Sequence, residues 1–263
     1  MKTLLKVLLP AMFLIGALAY TIPSEFHANQ FEKGEHLSYK VKYDLYINIP
    51  VAQMDFIIED ELKEFAGQDC LHLKAVGKTY RFYDNFFKVR DYFDAYVDPG
   101  TLEPKLFTRN ISEGNYSKDD YTIFYPSENY VKTKKGKKIE VPENTWDILS
   151  VWYLARTFDF EDMEVGDSVK MHTFIDDETY PIGLQYAGKE TVKTDAGKIE
   201  CYVIKPMLVV GELFKSESEM TLWVSADENK IPVIIESGIS VGKVRAELNS
   251  YKNLKHDFDA LKD

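Results

Sequence analysis

Apolar and polar positions alternate along much of the chain. From Leu37 to Ile47 every second residue is apolar, and the residues between them are mostly polar or charged. A period of two is typical of a β-strand with one buried face. Similar segments continue to about residue 250, separated by turns such as Asp98-Pro-Gly100 and Asp195-Ala-Gly197. Short strands at near-regular spacing favour an antiparallel sandwich or barrel over a βαβ array.

One segment departs from this alternation. From Trp146 to Ala155 eight of ten residues are apolar, which is more than one helix stripe requires. Asn144, with Asp147 three residues later, resembles a capping box and predicts a helix over about 145–156. Such a helix needs burial on several sides, and the concave face of a curved sheet provides it. The sequence therefore predicts a mainly β protein with a large antiparallel curved sheet or unclosed barrel and one buried helix.

The N-terminus has the pattern of a secretory signal peptide. Lys2 and Lys6 precede an apolar run at 7–18. Ala17 and Ala19 are small residues suited to cleavage before Tyr20. A membrane anchor is the alternative, but the run of about 12 residues is short of the roughly 20 that span a bilayer. We expect residues 1–19 to be removed and the mature chain to reach the periplasm without a transmembrane segment.

The rest of the chain is expected to have a simple organisation. Residues 20–34 are predicted to form an extended lead-in, 35–252 a single β domain, and 253–263 a polar tail. With 45% hydrophobic and 14% aromatic residues, the chain can bury a full core. Its net charge of −11 argues against general binding to nucleic acid or anionic lipid, because both would repel it.

The chain has two cysteines, Cys70 and Cys201. An exported protein meets an oxidising environment, so a disulfide between them is possible. Two buried free thiols in separate strands are the alternative. A Cys-x-x-Cys motif is absent and the five histidines show no paired spacing, so the sequence predicts neither a metal site nor a cofactor.

Aromatic residues are the strongest candidates for a ligand site. Trp146, Trp152 and Tyr153 lie on the predicted helix, Phe87 lies in an aromatic-rich stretch, and Trp223 lies in a later strand. Packing in the core is the alternative for all of them, and exposed aromatic rings also suit stacking on sugars. We expect the helix to cover a pocket of a few hundred Å³, a usual size for ligand sites, rather than a completely filled interior.

Hydrolase activity is the least favoured of the functional hypotheses. Gly238-Ile-Ser240-Val-Gly242 matches the nucleophile-elbow pattern, which requires a strand that turns sharply into a helix. Alternation continues after Gly242, so a strand is predicted to follow instead. We therefore expect Ser240 to lie in a bend between strands and assign no catalytic residues.

Several short sequence motifs occur in an order that resembles the bacterial domain-of-unknown-function family 3108. The motifs are Val89-Arg-Asp-Tyr92, Thr101-Leu-Glu-Pro104, Asp147-Ile-Leu-Ser150, Gly188-Lys-Glu190, Leu222-Trp223 and Lys230-Ile-Pro232. The resemblance covers about residues 31–252. It implies an exported bacterial protein and supplies no catalytic residues.

The predicted sheet, the buried helix and the Trp223 to Asp227 hairpin are also similar to periplasmic lipoprotein carriers of the Lol type. That similarity is architectural and implies an unclosed barrel with a helical lid over an apolar cavity. Three functions follow: a non-enzymatic periplasmic protein that binds a lipid or other apolar or amphipathic ligand in a half-barrel, an envelope scaffold that binds a protein or glycan, and, least favoured, a hydrolase.

Overall fold

The fold is known from a computed structural model, which describes residues 19–20, 30–44, 48–208, 220–238 and 242–262. Within these ranges the chain forms eighteen strands and one α-helix, α1 (Ser150–Ala155). The strands are β1 (Ala19–Tyr20), β2 (His36–Asp44), β3 (Asn48–Ile58), β4 (Lys63–Phe65), β5 (Gln68–Thr79), β6 (Arg90–Val97), β7 (Pro104–Glu113), β8 (Tyr116–Tyr125), β9 (Tyr130–Thr133), β10 (Lys138–Glu140), β11 (Thr145–Trp146), β12 (Ser168–Ile175), β13 (Glu178–Thr194), β14 (Gly197–Leu208), β15 (Met220–Ser225), β16 (Pro232–Gly238), β17 (Lys243–Lys252) and β18 (Leu261–Lys262).

All strands belong to one sheet, in which most neighbours are antiparallel. The pairing runs from β10 through β9, β8, β7, β6, β5, β3 and β2 to β17, and then through β16, β15, β14 and β13 to β12. The short strands β1 and β11 add parallel pairs to β12. The predicted fold class is therefore confirmed: the sheet is large, antiparallel and not closed into a barrel.

The two ends of the sheet approach each other without pairing. Phe124 of β8 packs edge-on against Phe174 of β12, with ring centroids 6.4 Å apart. Arg109 of β7 and Lys118 of β8 both form ion pairs with Asp176, in the turn after β12. The sheet is thus strongly curved, and its concave face encloses the main hydrophobic core.

The helix lies where the sequence predicted it, but the predicted length and cap are wrong. Residues 145–146 form β11, and Asn144 has a positive φ of 57°. The carboxylate of Asp147 accepts the first free backbone N–H groups, from Leu149 and Ser150, both at 2.8 Å. The helical turn therefore starts after Asp147, because that residue supplies the capping oxygen.

The segment predicted as a polar tail packs on the sheet. Leu261 and Lys262 pair with β14, and Ala260 is fully buried. The side-chain amide of Asn229 donates to the carbonyl oxygens of His256 and Asp257, both at 3.0 Å. Residues 253–262 are therefore part of the folded unit and not a free tail. Residues 1–18 of the predicted signal peptide and most of the predicted lead-in lie outside the described residues, whereas Ala19, the last residue of that peptide, is described in β1.

The possible disulfide is corrected by the structure, in which Cys70 and Cys201 are both free and buried. Cys70 lies in β5, between β3, β4 and β6, whereas Cys201 lies in β14, between β13 and β15. The strands that carry them are not neighbours, so the sulfur atoms cannot approach bonding distance without a rearrangement of the sheet.

Candidate functional site

A cavity of about 270 Å³ lies between α1 and the strands β12 to β15. Its lining is almost entirely apolar. The lining residues are Ile148, Val151, Trp152, Ala155, Met171, Thr173, Ile175, Tyr180, Pro181, Ile182, Leu184, Pro206, Met220 and Leu222.

Strand alternation explains why these side chains face the same space. Met171, Thr173 and Ile175 are every second residue of β12, so they project from one face of the sheet. Antiparallel pairing sets Ile182 of β13 opposite Met171. The lining is thus a continuous patch of the concave face.

The two hydroxyl groups in the lining already have partners. Thr173 donates to the carbonyl oxygen of Trp146 at 3.1 Å, and Tyr180 donates to the carboxylate of Glu178 at 2.7 Å. A ligand in the cavity would therefore contact mostly hydrocarbon surface. Such a site selects an apolar group by burial and shape rather than by hydrogen bonding.

The N-terminal end of α1 is fixed by Asp147. In addition to the two backbone bonds, its carboxylate accepts a hydrogen bond from the hydroxyl of Ser150 at 2.7 Å. The side chain is fully buried. Burial raises the pKa of Asp147 from 3.8 to about 6, outweighing the hydrogen bonds from Ser150 and Leu149, which lower it.

The C-terminal end of α1 is fixed by a buried ion pair. Arg156 is 3% exposed and Glu35 is 1% exposed, and two hydrogen bonds of 2.6 and 2.8 Å join them. The Nε–H of Arg156 donates to the carbonyl oxygen of Asn229 at 3.1 Å. The guanidinium also lies 4.7 Å from the ring centre of Phe31. These contacts join the helix to the start of β2 and to the turn between β15 and β16.

The cavity brings together only one of the predicted ligand residues, Trp152. Tyr153, one position later, is buried in the core and packs edge-on against Phe31, with ring centroids 5.6 Å apart. Trp146 is also buried in the core, at a separate cavity. Of the two aromatic side chains of α1, Trp152 therefore lines the cavity and Tyr153 packs in the core.

Trp223 and Phe87 lie away from this cavity. Leu222 lines the cavity, so Trp223, the next residue of β15, faces the other side of the sheet, where its indole N–H donates to Glu190 at 3.0 Å. Phe87 is exposed in the connection between β5 and β6. The sequence analysis did not identify the aliphatic residues of β12 and β13 that line the cavity. Alternation in the sequence predicted both strands, but it did not show which face of each strand points toward α1.

A second cavity, of about 290 Å³, lies beside the turn between β8 and β9. Tyr125 and Tyr130 stack there with ring centroids 4.4 Å apart. Glu103, Glu143 and Asn129 contribute polar groups to its lining. This combination of aromatic and polar side chains differs from the hydrocarbon lining of the cavity beneath α1.

Neither cavity contains a recognisable catalytic arrangement among the described residues. Within these ranges, no group of three or more His, Cys, Asp and Glu side chains could hold a metal ion. Ser240 lies outside the described residues, but the antiparallel strands β16 and β17 flank it, as the alternation predicted. In the same ranges, no helix is long and apolar enough to cross a membrane.

The fold and the cavity define a class of protein: an unclosed, barrel-like antiparallel sheet with a short helix against its concave face. The chain belongs to the family described as Protein of unknown function (DUF3108), which matches residues 38–249. The resemblance found in the sequence is thereby confirmed. No curated protein sequence matches the chain significantly.

Among solved structures, the chain is similar to a β-barrel-like protein of the domain-of-unknown-function family DUF1849 from Brucella abortus. The TM-score is 0.54 at 9% identity, over 84% of this chain and 97% of that one. At this identity the similarity shows the fold alone.

Two weaker similarities carry no argument about this chain. One is to a putative lipoprotein from Parabacteroides distasonis, with a TM-score of 0.32 at 15% identity, over 85% and 98% of the two chains. The other is to a putative exported protein with a YmcC-like fold from Bacteroides fragilis, with a TM-score of 0.36 at 14% identity, over 84% and 97%.

Proposed function

We propose that this protein is an exported, non-enzymatic carrier that binds a small apolar or amphipathic ligand in the cavity beneath α1. The observation that supports this function is the cavity itself, with a volume of about 270 Å³ and a nearly complete hydrocarbon lining. An engineered apolar cavity of about 150 Å³ is large enough to bind benzene. The present cavity therefore suits a short acyl chain or a small ring system, with any polar group of the ligand outside it.

The export part of the proposal is supported by the N-terminal sequence. A basic start, a short apolar run and Ala17 and Ala19 before Tyr20 form a signal peptide, so residues 1–19 are absent from the mature protein. The periplasm is then the site of action. N-terminal sequencing of the protein recovered from the bacterial envelope tests this, and a first residue other than Tyr20 contradicts the cleavage site.

Binding can be measured with N-phenyl-1-naphthylamine, an apolar dye whose fluorescence increases in a hydrocarbon environment. We expect micromolar binding to the wild-type protein. The substitution Ala155→Phe places an aromatic ring in the cavity and should weaken binding at least about tenfold, which corresponds to about 1.4 kcal/mol. Trp152→Ala should also change the affinity, because it alters the same lining.

The chain offers matched controls for both substitutions. Ala196→Phe makes the same change in the exposed turn between β13 and β14, and Trp223→Ala removes an indole from the opposite face of the sheet. Both controls should bind the dye like the wild type. Circular dichroism and thermal unfolding establish that each variant is folded. Equal binding by folded Ala155→Phe and Ala196→Phe would exclude this cavity as the site.

The second cavity favours an alternative function, an envelope scaffold that binds a glycan. The carboxylate and amide groups in its lining suit the hydroxyl groups of sugars, and the half-buried side chain of Tyr125 borders the same space. Titration with soluble envelope oligosaccharides, followed by calorimetry, tests this function. Tyr125→Ala should abolish glycan binding and leave dye binding unchanged. If this variant lost dye binding but kept glycan binding, the result would argue against the scaffold.

A further inference from the structure

The connection between β5 and β6, residues 80–89, exposes three phenylalanine rings. We refer to it as the aromatic loop. Phe82, Phe86 and Phe87 are 67%, 78% and 55% exposed, and they are the only exposed phenylalanines among the described residues. Tyr116, at the tip of the β7–β8 hairpin, is 54% exposed beside them. Exposed apolar groups clustered in this way mark an interaction surface.

The aromatic loop is held in a defined shape rather than hanging free. Asp84 accepts hydrogen bonds from Arg90 at 2.6 Å and from the hydroxyl of Thr79 at 2.7 Å. The N–H groups of Phe86 and Phe87 both donate to the carbonyl oxygen of Tyr83, at 2.9 Å. These bonds fix the loop from its polar side, while the phenylalanine rings remain largely exposed.

The loop is also adjacent to the β7–β8 hairpin. The N–H of Gly114 donates to the carbonyl oxygen of Lys88 at 2.8 Å, and Val89 forms a β-bridge with Glu113. The ring of Phe87 lies so close to Gly114 that an added Cβ would be only 2.8 Å from it. Gly114 thus allows the hairpin tip to pack directly beneath an exposed ring.

The charges that the aromatic loop exposes are positive. Its charged residues are Arg81, Asp84 and Lys88, and Asp84 is already paired with Arg90. Arg81 and Lys88 are both exposed and flank the phenylalanine rings. Exposed cations are attracted to an anionic bilayer surface, and exposed apolar rings can be buried in its interface.

The net charge of −11 does not prevent such local attraction. At physiological ionic strength the Debye length is about 8 Å, so an anionic surface acts mainly on the charges nearest to it. The phenylalanine rings add a contribution that salt does not screen. The overall negative charge instead favours one orientation, with the aromatic loop toward the membrane and the rest of the molecule away from it.

The strand register places the loop at the same end of the sheet as the cavity beneath α1. Met220, in the lining, connects through the paired residues of β16, β17 and β2 to Ile49 of β3. Three residues further along β3, Ala52 lies opposite Thr79, the residue before the loop. The cavity lining and the aromatic loop therefore lie at the same end of the sheet, with β16, β17, β2 and β3 between them.

We propose that the aromatic loop docks the protein on the surface of an anionic lipid bilayer, with Phe82, Phe86 and Phe87 in the interface and Arg81 and Lys88 at the headgroups. This docking does not depend on the ligand cavity. A protein partner or a second copy of this chain would also cover apolar rings, but the two exposed charges within the loop, Arg81 and Lys88, are both cations and favour an anionic surface.

Co-sedimentation of the full mature chain with vesicles tests the proposal. We expect binding to vesicles of phosphatidylglycerol and phosphatidylethanolamine, weaker binding in high salt, and little binding to phosphatidylcholine alone. Each Lys or Arg near an anionic surface contributes about 1 kcal/mol, a factor of about five. Arg81→Gln combined with Lys88→Gln should therefore weaken binding about 30-fold.

The aromatic contribution is tested by Phe82→Ser, Phe86→Ser and Phe87→Ser in combination, which should reduce binding at least about tenfold. Val165→Ser is the control, because Val165 is 72% exposed and apolar but lies outside the loop. All these positions are exposed, so thermal unfolding should be nearly unchanged. Ala155→Phe, which fills the cavity, should still bind vesicles like the wild type, so failure of docking and failure of ligand binding are distinguishable.

The variant Phe86→Trp provides a direct readout of insertion. Its added indole should show a blue shift with anionic vesicles and quenching by brominated lipid. Absence of wild-type binding, equal binding by the triple serine variant, or an unshifted Phe86→Trp spectrum would each overturn the proposal. Dimerisation in sedimentation velocity that the serine variant abolishes would also overturn it, in favour of a second copy.

Discussion

Replacing Glu35 with glutamine removes the negative charge beneath α1 and leaves the shape of the side chain nearly unchanged. In the wild type, two hydrogen bonds of 2.6 and 2.8 Å join Glu35 to Arg156. Both side chains are less than 5% exposed, so water cannot replace the lost partner. Removing one member of a buried ion pair costs about 3–5 kcal/mol, because the other charge stays buried without compensation.

The surroundings of Arg156 indicate how this loss can be recovered. The guanidinium lies against the ring of Phe31, and its Nε–H keeps the bond to the carbonyl oxygen of Asn229. Replacing a buried pair with apolar residues of similar volume is often neutral or stabilising. The double variant Glu35→Leu with Arg156→Met should therefore be more stable than Glu35→Gln.

Urea denaturation followed by tryptophan fluorescence measures both effects, and the single variants Glu35→Leu and Arg156→Met complete a double-mutant cycle that isolates the interaction. The control is Glu32→Gln, the same substitution three residues earlier. Glu32 forms a 3.0 Å ion pair with Lys255 at the surface, and such pairs contribute about 0–1 kcal/mol. If Glu35→Gln destabilises the protein no more than Glu32→Gln, the assignment of a buried pair that fixes the helix is wrong.

Three further predictions concern single groups. The pKa of Asp147 is raised by burial from 3.8 to about 6, so its contribution to stability is complete below pH 4 and is lost as the pH rises through 6; between pH 3 and 7 the unfolding free energy of the wild type should fall by about 3 kcal/mol more than that of Asp147→Asn, and parallel pH profiles would contradict this. Cys70 and Cys201 should titrate with Ellman's reagent as two thiols in urea without reductant, and neither should react in the folded protein, where burial raises the pKa of Cys201 to about 12; fewer than two thiols in urea would indicate a disulfide. Asp176→Asn keeps a residue that tolerates the observed positive φ of 56° but removes one of the two carboxylates that pair with buried Arg109. Because Asp120 still pairs with Arg109 and Asp176 is 42% exposed, it should cost about 1 kcal/mol in urea denaturation, and an unchanged midpoint would show that this contact does not stabilise the approach of the sheet ends.

Local patterns in the sequence were sufficient to predict the strands and the position of the helix. Alternation follows directly from burial of one face, so it predicts a strand wherever it is continuous. The helix start was less well determined, because Asn144 and Asp147 are both good capping residues. Only the positive φ of Asn144 and the bonds to Asp147 show which one caps the helix.

Long-range pairing could not be predicted in the same way. β2 pairs with β17, about 200 residues later, and nothing in either strand specifies the other. Because a shift of one residue turns every side chain to the opposite face, the side on which Trp223 lies depends on the register of β15 with β14 and β16. The same limit left the pairing of Cys70 and Cys201 open until the strands around them were known.

The fixed ends of α1 restrict how a ligand can reach the cavity. Moving the helix away would separate Arg156 from Glu35 and from the carbonyl oxygen of Asn229, and each change leaves a buried group without its partner. Such losses cost several kcal/mol, so an opened helix is a rare state. Entry at the edge lined by Met220 and Pro206 avoids them. That edge is also the end of the sheet that carries the aromatic loop. An apolar molecule that leaves a bilayer contacted by the loop would therefore enter the cavity from the end of the sheet that faces the bilayer.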